Sequence, residues 1–190
     1  MYQRMSFIII MCLVVTLGSC ASGGDSTTGE RFSGRVASLG GGPIRGQTAL
    51  MELHVWRYGS DELVQDLAAT LAEEGEKALH KAVFDIEPMG WIRFGNNTRY
   101  HLRVIRSIDT AEGRIIRALT DRPLAFAEMK EGTRSRRYAY GIIELQLDEN
   151  DQGSGSLIAA ARISFSNNRI EFESFGTQPV KVLSVAPQDL

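Results

Sequence analysis

The chain has 190 residues and a formal net charge of −2, with 43% hydrophobic and 23% charged residues. This composition excludes an intrinsically disordered chain, which would be less hydrophobic. With a net charge so close to zero, no bulk electrostatic field draws the chain to nucleic acid or to anionic lipid. A single domain with its own hydrophobic core is therefore expected.

The first twenty residues differ in composition from the rest of the chain. Residues 7–17 carry no charge, but this run is shorter than the about 20 apolar residues that a membrane-spanning helix needs. Its length is typical of the hydrophobic region of a signal peptide. The sequence Leu-Gly-Ser-Cys follows at residues 17–20, with an apolar residue three positions before the cysteine. This segment resembles the lipobox of bacterial lipoproteins.

The resemblance implies a covalent lipid anchor. In this class the sulfur of the cysteine, here Cys20, carries diacylglycerol, the chain is cleaved before it, and the new amino group is acylated. The protein would then be exported and bound to a membrane through lipid on Cys20, and to the outer membrane if the host has one. The alternatives are an ordinary secretory signal with an incidental cysteine, or a transmembrane anchor.

The cysteine count bears on the chemistry of the folded part. The chain has only two cysteines. Cys12 would leave with the signal peptide and Cys20 would carry lipid. The domain would then have no disulfide, no cysteine nucleophile and no cysteine metal ligand.

Three regions are predicted along the chain. Residues 20–31 are rich in Gly, Ser and Thr, which is typical of flexible linkers. We therefore predict a signal peptide over residues 1–19, a flexible lipid-anchored tether over residues 20–31, and a single β-rich domain over residues 32–190.

The pattern of the domain is mostly that of half-buried strands, with apolar and polar residues in alternation. Met51 and Leu53, for example, share one predicted face, and Glu52 and His54 share the other. Strands are predicted over residues 32–39, 47–58, 91–94, 100–108, 114–120, 138–147, 157–165, 169–175 and 180–185.

One segment has helical periodicity instead. Ser60 is a suitable N-cap, and Asp61 and Glu62 lie in the first turn, where anions are favoured. Gly75 interrupts the pattern and predicts a kink or a close approach to a sheet. Because the other connections are short, hairpins are favoured. We predict a mainly β fold, an antiparallel sandwich or partly closed barrel of about 8–9 strands with one packed helix over about residues 60–83.

Three short segments of the domain are similar, in their order, to segments of uncharacterised exported bacterial proteins. They are Gly-Trp-Ile-Arg at residues 90–93, Thr-Asp-Arg-Pro at residues 120–123 and Gly-Thr-Gln-Pro-Val at residues 176–180. This resemblance identifies no named family and implies no activity.

The most suggestive chemical feature is an arginine-rich segment over residues 93–122, where seven arginines meet only three carboxylates. Arg99, His101 and Arg103 share one face of a predicted strand. Since arginine binds carboxylates and phosphates through paired N–H groups, this face is a candidate anion-binding site for an acidic glycan, a phosphate or an anionic lipid. The alternative is a solvated face whose arginines pair with neighbouring glutamates, for which we considered Glu144, Glu171 and Glu173.

Other chemistries have weaker support. Neither Gly-x-Ser-x-Gly nor Ser-x-x-Lys occurs. The three histidines, His54, His80 and His101, lack metal-site spacing. The acidic segment from Asp148 onward matches part of a calcium loop, but Ala159 stands where the bidentate glutamate belongs. No metal or cofactor is predicted.

The sequence leaves three functions open. The favoured one is a membrane-anchored, non-enzymatic envelope module that binds a partner protein or an anionic glycan or lipid. One alternative is a carrier, because Gly141 and the alanines at 159–161 could leave a cavity in a barrel. The other is a hydrolase with a dispersed site. A filled interior with an exposed basic or aromatic patch would favour the binding module. A large apolar cavity would favour the carrier. A cleft that joins histidine to serine or to a carboxylate would favour the hydrolase.

Overall fold

The computed structural model describes residues 29–37, 48–124, 138–166, 169–174 and 179–189, without the side chains of residues 166 and 169. The predicted signal peptide, Cys20 and most of the predicted tether lie outside these ranges. In the part that is described, no helix is long and apolar enough to cross a membrane.

The described residues form nine strands and two helices, and each predicted strand has a counterpart. In chain order they are β1 (Glu30–Ala37), β2 (Thr48–Val55), α1 (Asp61–Glu74), α2 (Glu76–Asp85), β3 (Gly90–Phe94), β4 (Tyr100–Thr110), β5 (Gly113–Thr120), β6 (Tyr140–Leu147), β7 (Gly153–Ser166), β8 (Arg169–Ser174) and β9 (Val180–Pro187). Because β1 begins at Glu30, the sheet starts two residues before the predicted start of the domain at residue 32.

Eight strands close into an antiparallel barrel, which confirms the mainly β prediction. Their order is β6-β5-β4-β3-β2-β1-β9-β7, and pairing between β6 and β7 closes the ring. The first part of β7 pairs with β6 and β9, whereas residues 161–166 pair with β8. The ninth strand, β8, therefore extends the sheet outside the closed ring.

The helical segment differs from the single predicted helix, because Gly75 divides it into two. Gly75 has φ 86°, a left-handed conformation that glycine adopts without a steric penalty. Its N–H donates to the carbonyl oxygens of Leu71 and Thr70, so it ends α1, and α2 begins at the next residue. Ser60 caps α1 as predicted, since its hydroxyl accepts from the N–H of Leu63.

The barrel interior is filled by side chains from the strands. Phe32, Phe94, Met51, Ile92 and Leu145 are among its fully buried residues. A second cluster lies outside the barrel wall, where the helices pack over β6 and β7. It contains Leu71, Leu79, Val83, Tyr140, Ala161 and Ile163.

The small residues of β6 and β7 serve close packing. A Cβ added to Gly141 would lie 2.6 Å from Cγ of Leu124. Leu124, which is fully buried in the main core, therefore occupies the space that a side chain at 141 would need. Ala161 belongs to the cluster beneath the helices. At these positions the structure favours dense packing over a ligand cavity.

A candidate anion-binding groove

A row of polar and aromatic side chains crosses four strands on the outside of the barrel. Arg31 is opposite His54, His54 is opposite Trp91, and Trp91 is opposite His101. Directly opposite residues have Cβ atoms about 4.5–5.5 Å apart, so their side chains adjoin. The pairing thus places His101, a predicted site residue, beside an aromatic and cationic band.

Five of the seven arginines in the arginine-rich segment pair with carboxylates. Arg93 pairs with Glu52 at 2.6 Å, Arg103 with Asp121 at 2.9 Å, Arg114 with Glu30 at 2.8 Å and with Asp151 at 2.7 Å, Arg117 with Glu144 at 2.8 Å, and Arg106 with Asp61. The alternative of a paired face therefore holds for most of the segment. Of the glutamates predicted as partners, Glu144 pairs with Arg117 of this segment. Glu173 pairs with Arg162, which lies outside the segment.

Arg103 is one of the paired arginines, although the sequence made it a candidate for anion binding. Its Nε and Nη2 both donate to one carboxylate oxygen of Asp121, and Nη1 donates to the carbonyl of Ile86. The Arg103 and Asp121 side chains are only 14% and 10% exposed. Its guanidinium also lies 5.1 Å from the centre of the Phe84 ring. Arg103 therefore joins β4 to the chain after β5 and to the end of α2.

Arg99 and Arg122 have no carboxylate partner in the part of the chain that the structure describes. The guanidinium of Arg99 lies 4.2 Å from the centre of the Trp91 ring, and that of Arg122 lies 4.8 Å from the centre of the Tyr100 ring. Arg122 also donates to the backbone carbonyl of Arg99 at 3.0 Å. A stacked guanidinium keeps N–H groups along its edge, and these can bind an anion.

These two arginines border one open groove of about 520 Å³. Three parts of the chain build it: the end of α2, the start of β4 and the chain just after β5. Its lining consists of Phe84, Thr98, Arg99, His101, Asp121 and Arg122. Since the Asp121 carboxylate is bound by Arg103, the groove combines two uncompensated cations, an imidazole and an exposed aromatic ring.

His54 lies next to the groove, and each of its two ring nitrogens faces an N–H donor. Arg31 Nε is 2.8 Å from His54 Nε2, and Trp56 Nε1 is 3.2 Å from His54 Nδ1. A neutral imidazole has one acceptor nitrogen, so only one of these contacts can be a hydrogen bond at a time. We assign it to the shorter contact. Burial lowers the pKa of His54, and the charges of Arg31 and Arg99 lower it further.

The remaining candidates take structural positions. The ring centre of His80 lies 5.7 Å from that of Tyr140, beneath the helices. Asp148 Oδ1 accepts from the N–H groups of Asn150 and Gln152, which closes the acidic turn. Within the described ranges, no three His, Cys, Asp or Glu side chains are grouped so that they could hold a metal ion.

Arg114 is the centre of a second polar cluster. It bonds Glu30 and Asp151, and the hydroxyl of Tyr58 donates to Glu30 at 2.8 Å. Burial raises the pKa of Tyr58, and the hydrogen bond to Glu30 raises it further. The cluster connects β1, β5 and the turn before β7, so its role is structural.

Part of the groove is predictable from the sequence. The strand pattern placed Arg99 and His101 on one outer face, and both line the groove. Arg122 was visible only as a member of the arginine-rich segment, and Phe84 lies one residue beyond the predicted helix. No sequence signal connects these two positions, because tertiary packing brings them together. Comparison of the chain with known protein families, with curated proteins and with solved structures gives no match.

Proposed function

We propose that the protein is an exported, lipid-anchored bacterial envelope lipoprotein whose barrel is a non-enzymatic module that binds an anionic partner. The observation that carries the binding role is the pair of arginines, Arg99 and Arg122, that border one groove without a carboxylate partner among the described residues. Acidic glycans, anionic lipids and acidic surfaces of envelope proteins carry the matching charge.

The groove chemistry supports binding more than hydrolysis. A hydrolase that works through a side-chain nucleophile needs that nucleophile next to a base that a third group orients. In the described structure, no hydrogen bond joins His101 to a carboxylate or hydroxyl, and Asp121 is bound by Arg103. The filled barrel interior likewise gives the carrier alternative less support than the binding module.

The lipid anchor is tested by the mass of the mature N-terminus. The full chain is expressed in a bacterium, and its N-terminal peptide is analysed by mass spectrometry. We expect cleavage before Cys20 and the mass of attached acyl chains, and we expect Cys20→Ser to release the protein from the membrane fraction. An unmodified terminus, or cleavage elsewhere, would contradict the anchor.

The groove is tested with soluble anionic probes. Binding of polyphosphate and polygalacturonate is measured by calorimetry at low and high salt. We expect binding by at least one probe that weakens as salt rises, because exposed charges are screened over about 8–10 Å at physiological ionic strength. The double variant Arg99→Ala, Arg122→Ala removes both groove cations and should lose this binding.

A charge-matched variant controls for the loss of two positive charges. Arg117→Ala, Lys181→Ala removes the same charge from β5 and β9, outside the groove. It should bind the probes as the parent chain does. If neither probe binds at low salt, or if the groove variant binds as well as the control, the groove is not an anion site.

A further inference from the structure

The outer face of β1, β2, β3 and β9 combines exposed apolar side chains with cations. Arg35 lies between Leu50 and Leu183 in the strand register, and both leucines are more than two-fifths exposed. We call this surface the Trp56 face and define it by Arg31, Arg35, Leu50, Trp56, Trp91 and Leu183. The helices pack against residues of β6 and β7, and α2 also contacts β4, so they leave the outer face of β1, β2 and β9 uncovered by any described element.

Both tryptophans of the chain lie on the Trp56 face. Trp56 directly follows β2 and is 46% exposed. Trp91 is on β3, and the guanidinium of Arg99 stacks on its ring. Tryptophan is enriched at the head-group level of membranes, where its ring and its N–H meet apolar and polar surroundings. Arginine binds phosphate groups with its paired donors. The composition of the face is therefore that of a membrane-contacting surface.

The chain enters the barrel beside this face. A Cβ added to Gly29 would lie 2.8 Å from the carbonyl oxygen of Val55 and 3.7 Å from Trp56. Gly29 is nine residues after Cys20, and nine residues span at most about 32 Å when fully extended. An eight-residue strand of the barrel is about 26 Å long. A lipid on Cys20 would thus keep Gly29, and Trp56 beside it, within about 32 Å of the bilayer.

We propose that the Trp56 face lies against the head-group layer of the bilayer that holds the lipid anchor. Trp56 sits among the head groups, and Arg31, Arg35 and Arg99 contact lipid phosphates. Because Arg99 also borders the groove, the bilayer itself supplies an anionic ligand at the edge of that groove. This inference rests on the lipid anchor of the proposed function and specifies its anionic partner as membrane lipid.

Tryptophan fluorescence tests the orientation directly, since the two tryptophans both report on this face. The acylated full chain is reconstituted into vesicles of phosphatidylcholine and phosphatidylglycerol, with acyl chains either brominated or unmodified. Bromine quenches tryptophan emission only at short range. In the Trp91→Phe variant, Trp56 is the single fluorophore, and we expect brominated vesicles to reduce its emission relative to unmodified vesicles.

A reporter on the far side of the barrel is the matched control. The variant Trp56→Phe, Trp91→Phe, Gln146→Trp carries one tryptophan on β6, four strands from β2 in the closed ring, at an exposed position. Its emission should be the same in both kinds of vesicle. Arg31→Gln together with Arg35→Gln should reduce quenching of Trp56 and leave acylation intact.

Each outcome decides for or against the inference. Quenching of Trp56 without quenching at 146 supports it. Equal quenching of both reporters, or of neither, in an acylated chain overturns it and leaves the anchor and the groove standing. If bromine does not quench Trp56 and iodide cannot reach Trp56 even in detergent, a second copy of the chain covers this face. That result also overturns the membrane orientation. An unacylated N-terminus, which mass spectrometry detects, would overturn the lipid anchor on which the proposed orientation depends.

Discussion

Arg99 and Arg103 lie four residues apart at the start of β4, yet their environments differ. Arg103 is held by Asp121, by the carbonyl of Ile86 and by the ring of Phe84. Arg99 lies on the ring of Trp91 and faces the groove, with no carboxylate partner among the described residues. The comparison shows that arginines in one segment can divide between holding the fold together and presenting charge to a ligand.

Strand register explains part of this division. Arg117 is directly opposite Glu144, and Arg93 is directly opposite Glu52, so their ion pairs follow from antiparallel pairing. Arg99 lies just before β4 begins, outside the paired register, and its guanidinium stacks on the indole of Trp91, whose direct partner is His101. An arginine with a glutamate directly opposite is therefore bound within the fold, whereas Arg99 stays available.

The largest expected effect is on stability, at the paired arginine. Arg103→Met keeps an apolar stem but leaves the nearly buried Asp121 carboxylate without its partner. We expect the free energy of unfolding to fall by about 3 kcal/mol, because removing one member of a buried pair strands the other charge. Arg99→Met should cost only about 0.5 kcal/mol. Urea denaturation of both variants measures the two losses in the free energy of unfolding. Equal losses would contradict the distinction between a structural Arg103 and an available Arg99.

An intermediate effect is expected on anion binding when Arg103 loses its ion pair with Asp121. Asp121→Asn removes the one carboxylate that lines the groove and weakens the hold on Arg103. Polyphosphate should bind about fivefold more tightly, since one unit of charge at about 4 Å is worth about 1 kcal/mol in a water-like medium. Stability should fall at the same time. Unchanged or weaker binding in calorimetry would mean that charge in the groove does not control the affinity.

The smallest effect is a pH dependence of stability at His54, whose pKa is lowered by burial, then by the charge of Arg31 and then by that of Arg99. The pKa of His54 is lowered in the folded protein, so below pH 6.5 the unfolded chain takes up its proton first. The stability that neutral His54 contributes is therefore present above pH 6.5 and declines as pH falls below it. We expect His54→Gln to flatten this part of the stability curve in denaturant titrations. Arg99→Gln should flatten it partly, and an unchanged slope in both variants would contradict this coupling.

The sequence determined the fold class through local pattern. Alternation of apolar and polar residues places Met51, Leu53 and Val55 inside the barrel, and this alternation depends only on the period of a strand. Ser60 as the cap of α1 also followed from the local sequence, because a cap acts within one turn. The lipobox resemblance at Cys20 is likewise a local signal, and it remains a prediction.

Only the tertiary structure decided between a sandwich and a closed barrel, because closure depends on pairing of β6 with β7 and of β1 with β9. It also decided which arginines are available. Asp121 satisfies Arg103, and Phe84 from α2 reaches the same groove as Arg122. These contacts join segments that are distant in the chain. Their partners are set by register and packing, which local residue patterns do not encode.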